Sequence, residues 1–303
     1  MSSSHARMHL PVALRRTVAL ALAAAGILGS LAVPAEAAYP QGQFIIQCLG
    51  PVRSAPDDPI VSPGAADSSH LHEFYGNTAI HPSSTYESLI VAATGCEHSK
   101  AGDEPGDTAS YWHPTVSVNG ARVAAPKSTF YYSNRARKKP GTMKAWPAGL
   151  KAIAGNGKAT SPQSTSIVYW GCGDGSSVSK VNMPPQCKAG DAGLTVHVIY
   201  PDCWDGVRLD SPDHKSHLAY SNKSSVCPST HPVSLPWLMQ RFQWTNFYPA
   251  PSSITLSSGP AYTFHSDFWN TWNQARLEQL VAFCINAGKK CVYADLDNLK
   301  PPA

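Results

Sequence analysis

The stretch LTVHVIYP, residues 194–201, is the clearest β-strand signal in the sequence. Apolar side chains occupy every second position, namely Leu194, Val196, Val198 and Tyr200. This alternation is typical of a half-buried strand that turns one face toward a core. His197 lies on the opposite face, where we expect it to pack in the sheet rather than bind a ligand.

Further short runs of strand-forming residues lie along the rest of the chain. They are QFIIQC (43–48), SLIVAA (88–93), TVSV (115–118), STFYYS (128–133), SIVYWGC (166–172) and SITLSS (253–258). The 22 glycines and 26 prolines are spread among these runs and do not gather in one linker. Short strands separated by turn signals predict a mainly β fold, and we expect a single domain of the β-sandwich or jelly-roll type with long loops.

One segment near the C-terminus has helical rather than strand periodicity. In SDFWNTWNQARLEQLVAFCINAG, residues 266–288, the apolar positions at helical spacing are Phe268, Trp272, Ala275, Leu280 and Phe283. Ser266 is a suitable N-cap, Asp267 would lie in the first turn, and Gly288 would end the helix. The sequence therefore predicts a C-terminal helix over this segment.

The first 37 residues have the pattern of a secretory signal peptide. Arg15 and Arg16 precede the apolar run TVALALAAAGILGSLAV, and a small-residue A-x-A cleavage site ends at Ala37. The alternative is an uncleaved membrane anchor, but the run is short for a span of about 20 residues. We therefore expect a secreted, extracellular protein with a signal peptide over 1–37 and a single β-rich domain over 38–303.

All eight cysteines lie beyond the predicted signal peptide. An even number in an exported chain predicts up to four disulfide bonds. Zinc binding is the competing use of cysteine, but the sequence has no C-x-x-C spacing. The sequence does not fix the pairing, although the shortest loops to close would join Cys172–Cys187, Cys203–Cys227 and Cys284–Cys291.

The charge balance gives no sign of a polyanionic partner. The formal net charge of the chain is +4, and Arg7, Arg15 and Arg16 belong to the predicted signal peptide. The remaining, nearly neutral domain lacks the electrostatic footprint of a protein that binds nucleic acid or anionic lipid. We expect no nucleic-acid partner, no membrane contact after cleavage, and a monomer.

The first cluster of candidate site residues is SSHLHEFYGN, residues 68–77. His70 and His72 are two residues apart, so on an extended strand both side chains point to one face. Two imidazoles on one face can bind a metal or orient a substrate. Glu73 lies beside them and is a candidate acid or base. The alternative is that both histidines are only hydrogen-bonded in a polar interior.

The second cluster is CWDGVRLDSPDHKSHLAY, residues 203–220, which lacks hydrophobic periodicity. Its aspartates could act as general acid and base or ligate a cation, and its basic side chains could bind substrate. The candidates are Asp205, Asp210, Asp213, His214, Lys215 and His217. The alternative is that each aspartate only bonds the local backbone of a turn.

Three shorter segments add further candidates for substrate binding or catalysis. They are Trp112 and His113 in SYWHPTV, His231 in CPSTHPVSLP, and His265, Asp267 and Trp272 in FHSDFWNTW. Aromatic side chains next to polar ones can stack on the apolar faces of sugar rings. The sequence contains no G-x-S-x-G, H-E-x-x-H, P-loop or dinucleotide-binding motif, which counts against a lipase, a zincin protease, a kinase or a dehydrogenase.

Several of these segments together resemble a known family. HLHEFYGN, YWHPTV, YYS, CWDG followed by LDSPDHKSHLAY, CPSTHPVSLP and SSGPAYTFHSDFWNTW occur in this order in the sequence. Over residues 44–285 the chain is similar to the domain-of-unknown-function family DUF1996, secreted proteins of filamentous fungi and actinobacteria. The resemblance implies secretion, a disulfide-bonded β-rich fold and an extracellular or cell-wall context, and it implies no particular activity.

The first hypothesis about function is a secreted carbohydrate-active enzyme, a glycoside hydrolase that acts on a cell-wall or capsular polysaccharide. Such an enzyme needs two carboxyl groups that flank the scissile bond. We expect Asp213 and Asp205 in these roles, with Glu73 or Asp267 as the competing partner. The histidines would orient the substrate or tune the pKa of the acid.

Two other hypotheses use the same residues differently. In an extracellular metal-dependent enzyme with a divalent zinc or copper ion, the ligands would come from His70, His72, Asp213, His217 and His265. In a non-catalytic glycan-binding or wall-associated module, the polar clusters would only bind sugar or stabilise loops. Removal of metal by a chelator separates the second hypothesis from the other two.

Overall fold

Antiparallel β-strands are the main secondary structure of the fold. The computed structural model describes residues 40–97, 106–135, 141–173 and 179–299, so the predicted signal peptide lies outside the described residues. In chain order the strands are β1 (Gln43–Cys48), β2 (Arg53–Ala55), β3 (His72–Gly76), β4 (Cys96–Glu97), β5 (Ser110–Pro114), β6 (Val116–Val118), β7 (Ala121–Arg122), β8 (Lys127–Ser133), β9 (Lys151–Gly155), β10 (Val168–Cys172), β11 (Gly193–Ile199), β12 (Cys203–Trp204), β13 (Leu218–Ala219), β14 (Val233–Ser234), β15 (Trp237–Thr245), β16 (Ile254–Leu256), β17 (Gly259–Pro260) and β18 (His265–Trp269).

Helices are few and short in the described part of the chain. They are α1 (Tyr86–Ile90), α2 (Gln274–Leu280), which continues as a π-helix over Val281–Ile285, α3 (Tyr293–Asn298) and two 3₁₀ turns (Pro251–Ser253 and Ala261–Thr263). None of them is long and apolar enough to cross a membrane. The prediction of a mainly β fold is confirmed.

Two of the four sheets that the described residues form share the main hydrophobic core. The larger has the strand order β10-β11-β15-β8-β1-β4, and the smaller has the order β2-β3-β5-β18-β9. The ring of Tyr111 on the smaller sheet stacks on Phe130 of the larger, with centroids 3.8 Å apart. Tyr75 likewise meets Phe242 with centroids 5.3 Å apart. These contacts between the inner faces of two antiparallel sheets confirm the predicted sandwich-like arrangement.

A second, smaller core lies on the outer face of the five-stranded sheet. Its fully or largely buried members are Ile60, Phe74, Ile80, Leu89, Trp112 and Trp269. Ile60, Ile80 and Leu89 come from the chain between β2 and β4, which therefore covers part of this outer face. Residues that follow one another on β3, β5 and β18 alternate between the two cores because strand side chains alternate between faces.

Most of the predicted strands form close to where the sequence indicates them. QFIIQC coincides with β1, and LTVHVIYP contains β11, in which His197 stacks on Tyr169 with ring centroids 4.3 Å apart. All seven residues of β11 are buried, so the strand is not half-exposed as its alternation predicts. The cause is its central position between β10 and β15.

One predicted strand is wrong. SLIVAA (88–93) overlaps α1, which begins after the N-cap Thr85. Thr85 accepts a hydrogen bond from the Ser88 N–H, and the Ser88 hydroxyl accepts one from the Thr85 N–H, which forms a capping box. Of this helix only Leu89 is buried. The local cap therefore overrides the strand propensity of the apolar run.

The predicted C-terminal helix begins later than its periodicity indicates. Ser266 and Asp267 lie in β18, which pairs with β5 on one side and β9 on the other. The helix starts at Gln274, where the Asn273 side chain accepts the Arg276 N–H. Ser266 is therefore not an N-cap, and Asp267 does not lie in a first helical turn. Pairing with two neighbouring strands satisfies the backbone of this segment and outweighs its helical spacing.

The eight cysteines form four disulfide bonds, as the even count predicts. Three join the neighbours Cys172–Cys187, Cys203–Cys227 and Cys284–Cys291. The fourth joins Cys48 and Cys96, on the paired strands β1 and β4. Every cysteine is bonded to another cysteine, which is typical of proteins from oxidising compartments.

Candidate active site

A pocket of about 720 Å³ opens beside the outer face of the five-stranded sheet. Titratable side chains from five separate segments line it, among them Asp58, His70, Lys158, Asp213, Lys215, His265 and Asp267. We call it the site pocket. It brings together members of both sequence clusters and of FHSDFWNTW.

Three imidazoles meet beside the site pocket, and two of them, those of His70 and His265, line it. His72 begins β3 and lies opposite Pro114 of β5, and the register of β18 brings His265 level with the same proline on the other side. His70 precedes β3, and its ring centroid lies 4.2 Å from that of His72 and 5.1 Å from that of His265. One ring nitrogen from each histidine lies within 4.8 Å of the other two.

Backbone carbonyls fix two of the three rings. Nδ1 of His72 lies 2.8 Å from the Asp57 carbonyl oxygen, and Nδ1 of His265 lies 2.9 Å from that of Thr263. Because a carbonyl oxygen only accepts, both Nδ1 atoms carry the proton and both Nε2 atoms carry a lone pair. Burial lowers the pKa of His265 to about 3 and that of His72 well below its usual value. Both rings are therefore neutral at neutral pH.

Asp267 is a buried carboxyl group at the edge of this cluster. The residue is 1% exposed, and neither of its carboxyl oxygens has a hydrogen-bond partner among the described residues. Its Oδ2 lies 4.0 Å from Nε2 of His265. Burial and the neighbouring Asp58 raise its pKa well above the usual value, while Lys215 opposes this shift. A buried carboxyl without partners is costly and marks a candidate functional group.

Sequence analysis missed Asp58, a second buried carboxyl in the site pocket. Its Oδ1 accepts the N–H groups of Ile60 and Val61, and burial raises its pKa. The preceding residue, Asp57, supplies the carbonyl that orients His72. The adjacent aspartates before Pro59 are a turn signal in the sequence, and nothing local distinguishes them from an ordinary turn.

The loop over residues 203–220 contributes Asp213, His214 and Lys215 to the site pocket. Oδ1 of Asp213 accepts hydrogen bonds from the Ser211 hydroxyl and from the N–H groups of Lys215 and Ser216. These bonds, that from Ser216 first, lower the pKa of Asp213, so it is ionised at neutral pH. The Lys215 ammonium donates to the Gly155 carbonyl at 2.7 Å.

Three other candidates of that loop hold it together and do not line the site pocket. Asp205 accepts the N–H groups of Val207 and Arg208 and pairs with the Arg208 side chain at 2.7 Å. Asp210 contacts Nδ1 of His214 at 2.9 Å. The alternative ligand His217 is fully buried, with Nε2 2.7 Å from the Lys151 carbonyl oxygen and Nδ1 2.9 Å from the Ser211 hydroxyl.

The remaining candidates lie away from the site pocket. Glu73 is buried and forms a two-point ion pair with Arg122. His113 stacks on Tyr75 and Phe264 in the main core. Trp112 and Trp272 are buried in the two cores, and His231 lies 3.1 Å from the Ser216 carbonyl oxygen in the loop region. The buried tryptophans therefore offer no surface for stacking on a sugar.

Comparisons with known proteins give one match. The model of the family described as "Domain of unknown function (DUF1996)" matches residues 58–272, which include every residue of the site pocket named above. Searches of the curated proteins and of the solved structures give no match.

Proposed function

The chain belongs to the DUF1996 family, and we propose that it is a secreted carbohydrate-active enzyme, a glycoside hydrolase that acts on a cell-wall or capsular polysaccharide in the site pocket. Asp267 and Asp213 are the two carboxyl groups of the proposed reaction. Asp205, which the sequence favoured as one of the pair, is replaced here by Asp267 because Asp205 is bound to Arg208 outside the site pocket.

One observation carries this proposal. The buried carboxyl of Asp267 has no hydrogen-bond partner among the described residues, and it faces the same pocket as the exposed carboxylate of Asp213. The two come from separate elements, β18 and the loop before β13. Glycoside hydrolysis requires two such groups on either side of the scissile bond, in different environments. Lys215 and His214 line the pocket beside them and would bind the hydroxyl groups of the sugar.

The test is product release from bacterial and fungal cell-wall polysaccharides by the purified mature protein. We expect new reducing ends with the wild-type protein and with Glu87→Gln, which alters an exposed carboxyl of α1 that does not line the pocket. We expect about a 10²- to 10⁴-fold loss with Asp267→Asn and with Asp213→Asn, the usual contribution of a general acid or base. Glycan binding without new reducing ends would instead support a non-catalytic module.

A second candidate is an extracellular metal-dependent enzyme. The observation that favours it is the convergence of His70, His72 and His265 beside the site pocket, which His70 and His265 line. A metal bound there would activate water or polarise a substrate oxygen. In that case a chelator would abolish product release, whereas a hydrolase that uses only the two carboxyl groups would be unaffected.

A further inference from the structure

We propose that His70, His72 and His265 bind one divalent transition-metal ion through their Nε2 atoms at the site pocket. This inference concerns a cation and does not depend on the glycan chemistry proposed above. Of the five possible ligands indicated by the sequence, His217 is excluded because the Lys151 carbonyl and Ser211 occupy its ring nitrogens. Asp213 is excluded because it does not belong to the cluster of three histidines and its Oδ1 already accepts three hydrogen bonds.

The hydrogen bonds around the cluster prepare these rings for a metal. A histidine that ligates a metal generally donates its other ring N–H to a backbone carbonyl or a carboxylate. His72 and His265 do this with the carbonyls of Asp57 and Thr263. These hydrogen bonds hold each ring in the tautomer whose Nε2 can bind a metal. They also fix the orientation of the ring.

Two of the three Nε2 atoms also lack the kind of partner that the buried histidine His113 has. Nε2 of His70 and Nε2 of His72 are buried and have no hydrogen-bond partner among the described residues. His113, a buried histidine in the main core, instead uses both nitrogens, with the Pro114 carbonyl oxygen at 2.9 Å and the Tyr75 hydroxyl at 3.4 Å. An unsatisfied buried nitrogen is costly, and a cation bound with His265 as its third ligand would satisfy both of these atoms.

The spacing is compatible with a single ion. Metal–nitrogen bonds are about 2.0–2.1 Å long, so two ligands of one ion lie at most about 4.2 Å apart. The three nitrogens lie within 4.8 Å of one another. Side-chain shifts of under about 1 Å would therefore bring them to the distances that a single ion requires.

The position of the His265 ring requires a glycine at residue 157. A Cβ atom at this position would lie 2.8 Å from Cε1 and 3.0 Å from Nδ1 of the ring. Such a contact would push the ring out of its present position, so the backbone at residue 157 can approach the ring this closely only without a side chain. The glycine thus offers a way to disturb the site without removing a ligand.

Neutral imidazoles select a particular class of metal. They suit Zn²⁺, Cu²⁺, Fe²⁺ and Ni²⁺, whereas Ca²⁺ and Mg²⁺ prefer oxygen ligands. Three protein ligands leave at least one coordination position open, as in catalytic zinc sites. A separate cluster of Cys172, Cys187 and Asp191 offers no thiolate, because its two cysteines are bonded to each other.

The experiment is calorimetric titration of Zn²⁺ into the mature, disulfide-intact protein after dialysis against a chelator, with Ca²⁺ as the comparison ion. We expect one Zn²⁺ per chain and no Ca²⁺ binding. His70→Ala should weaken Zn²⁺ binding at least about 100-fold, since loss of even an outer hydrogen-bond partner costs about 10- to 100-fold. His81→Ala removes an exposed histidine from the loop that precedes α1. This variant should bind Zn²⁺ as the wild type does.

Gly157→Ala guards against a folding defect in the first variant. It keeps all three ligands, and we expect at least about tenfold weaker Zn²⁺ binding with an unchanged circular dichroism spectrum. No stoichiometric Zn²⁺ in the wild type, or undiminished binding in His70→Ala, would overturn the proposal. Product release from glycans is scored separately, so Zn²⁺ binding without glycan cleavage would reject the hydrolase and keep the metal site.

Discussion

Two polar regions of this protein have similar compositions and different hydrogen bonding. The loop over residues 203–220 contains three aspartates and two histidines, and its members bind one another or the local backbone, as Asp205 does with Arg208 and His217 with Ser211. In the cluster on the outer face of the five-stranded sheet, Nε2 of His72 and both carboxyl oxygens of Asp267 have no hydrogen-bond partner among the described residues.

This difference distinguishes groups that stabilise the fold from candidate functional groups. A buried polar group that is fully hydrogen-bonded contributes to stability, whereas one that is left without partners lowers it. Such groups persist at functional sites, where a substrate or cofactor completes their bonding. Density of titratable residues in the sequence drew attention to the loop, but the unsatisfied groups lie mostly elsewhere.

The sharpest test of the comparison is Asp267→Asn. We expect product release to fall about 10²- to 10⁴-fold while the melting temperature stays the same or rises, because the substitution removes an unpaired buried carboxyl and breaks no hydrogen bond of the described residues. Activity and thermal unfolding are measured on the same preparation. A large drop in melting temperature would show that Asp267 is part of the structural framework.

His113 is a buried histidine whose two ring nitrogens both have hydrogen-bond partners, and its effect on the pH dependence of stability can be tested. Burial lowers its folded pKa to about 4, whereas the unfolded value is about 6.5. The unfolded chain therefore takes up the proton first as the pH falls, and the contribution of His113 to the free energy of unfolding should decrease between these two values by about 3 kcal/mol. Urea unfolding across this range should show a shallower decline in His113→Phe, and an identical decline would contradict the assignment.

His217→Ala should reduce stability and leave the site intact. The change removes bonds to the Lys151 carbonyl and the Ser211 hydroxyl, and we expect a loss of about 2 kcal/mol in the free energy of unfolding. Zn²⁺ binding should match the wild type under conditions where the variant is folded. Loss of Zn²⁺ from the folded variant would return His217 to the list of ligands.

Asp205→Asn should have the smallest effect. The amide keeps an acceptor oxygen for the N–H groups of Val207 and Arg208 but loses the half-exposed ion pair with Arg208, so we expect about 1 kcal/mol or less of destabilisation. Product release should be unchanged. A loss of activity comparable to that of Asp267→Asn would restore the carboxyl pair indicated by the sequence.

Local patterns in the sequence were sufficient for much of the fold. Alternating apolar residues located β1 and β11, and the even cysteine count predicted four disulfides, three of them between neighbours in the chain. The patterns failed where a competing interaction was stronger. A capping box made α1 from a strand-like run, and pairing with β5 and β9 made β18 from a helix-like one.

Local sequence patterns predicted only part of the candidate site. The H-x-H spacing correctly indicated that His70 and His72 lie close together. No local signal connects them to His265 or to Asp58, and the periodicity around Asp267 pointed to a helix. The choice between Asp205 and Asp267 as the second carboxyl of the proposed site depends on which of them forms an ion pair. Only the folded loop shows that Arg208 pairs with Asp205.

The sequence by itself determined the class of the fold, the disulfide content, the family and the residue types available for chemistry, because each of these is recorded in short-range spacing or in composition. The tertiary structure decided which of those residues share a pocket and which are left without partners. The reason is that β3 and β18, far apart in the chain, both pair with β5, and that strand alternation then sends His72 and Asp267 to the outer face and His113 to the core.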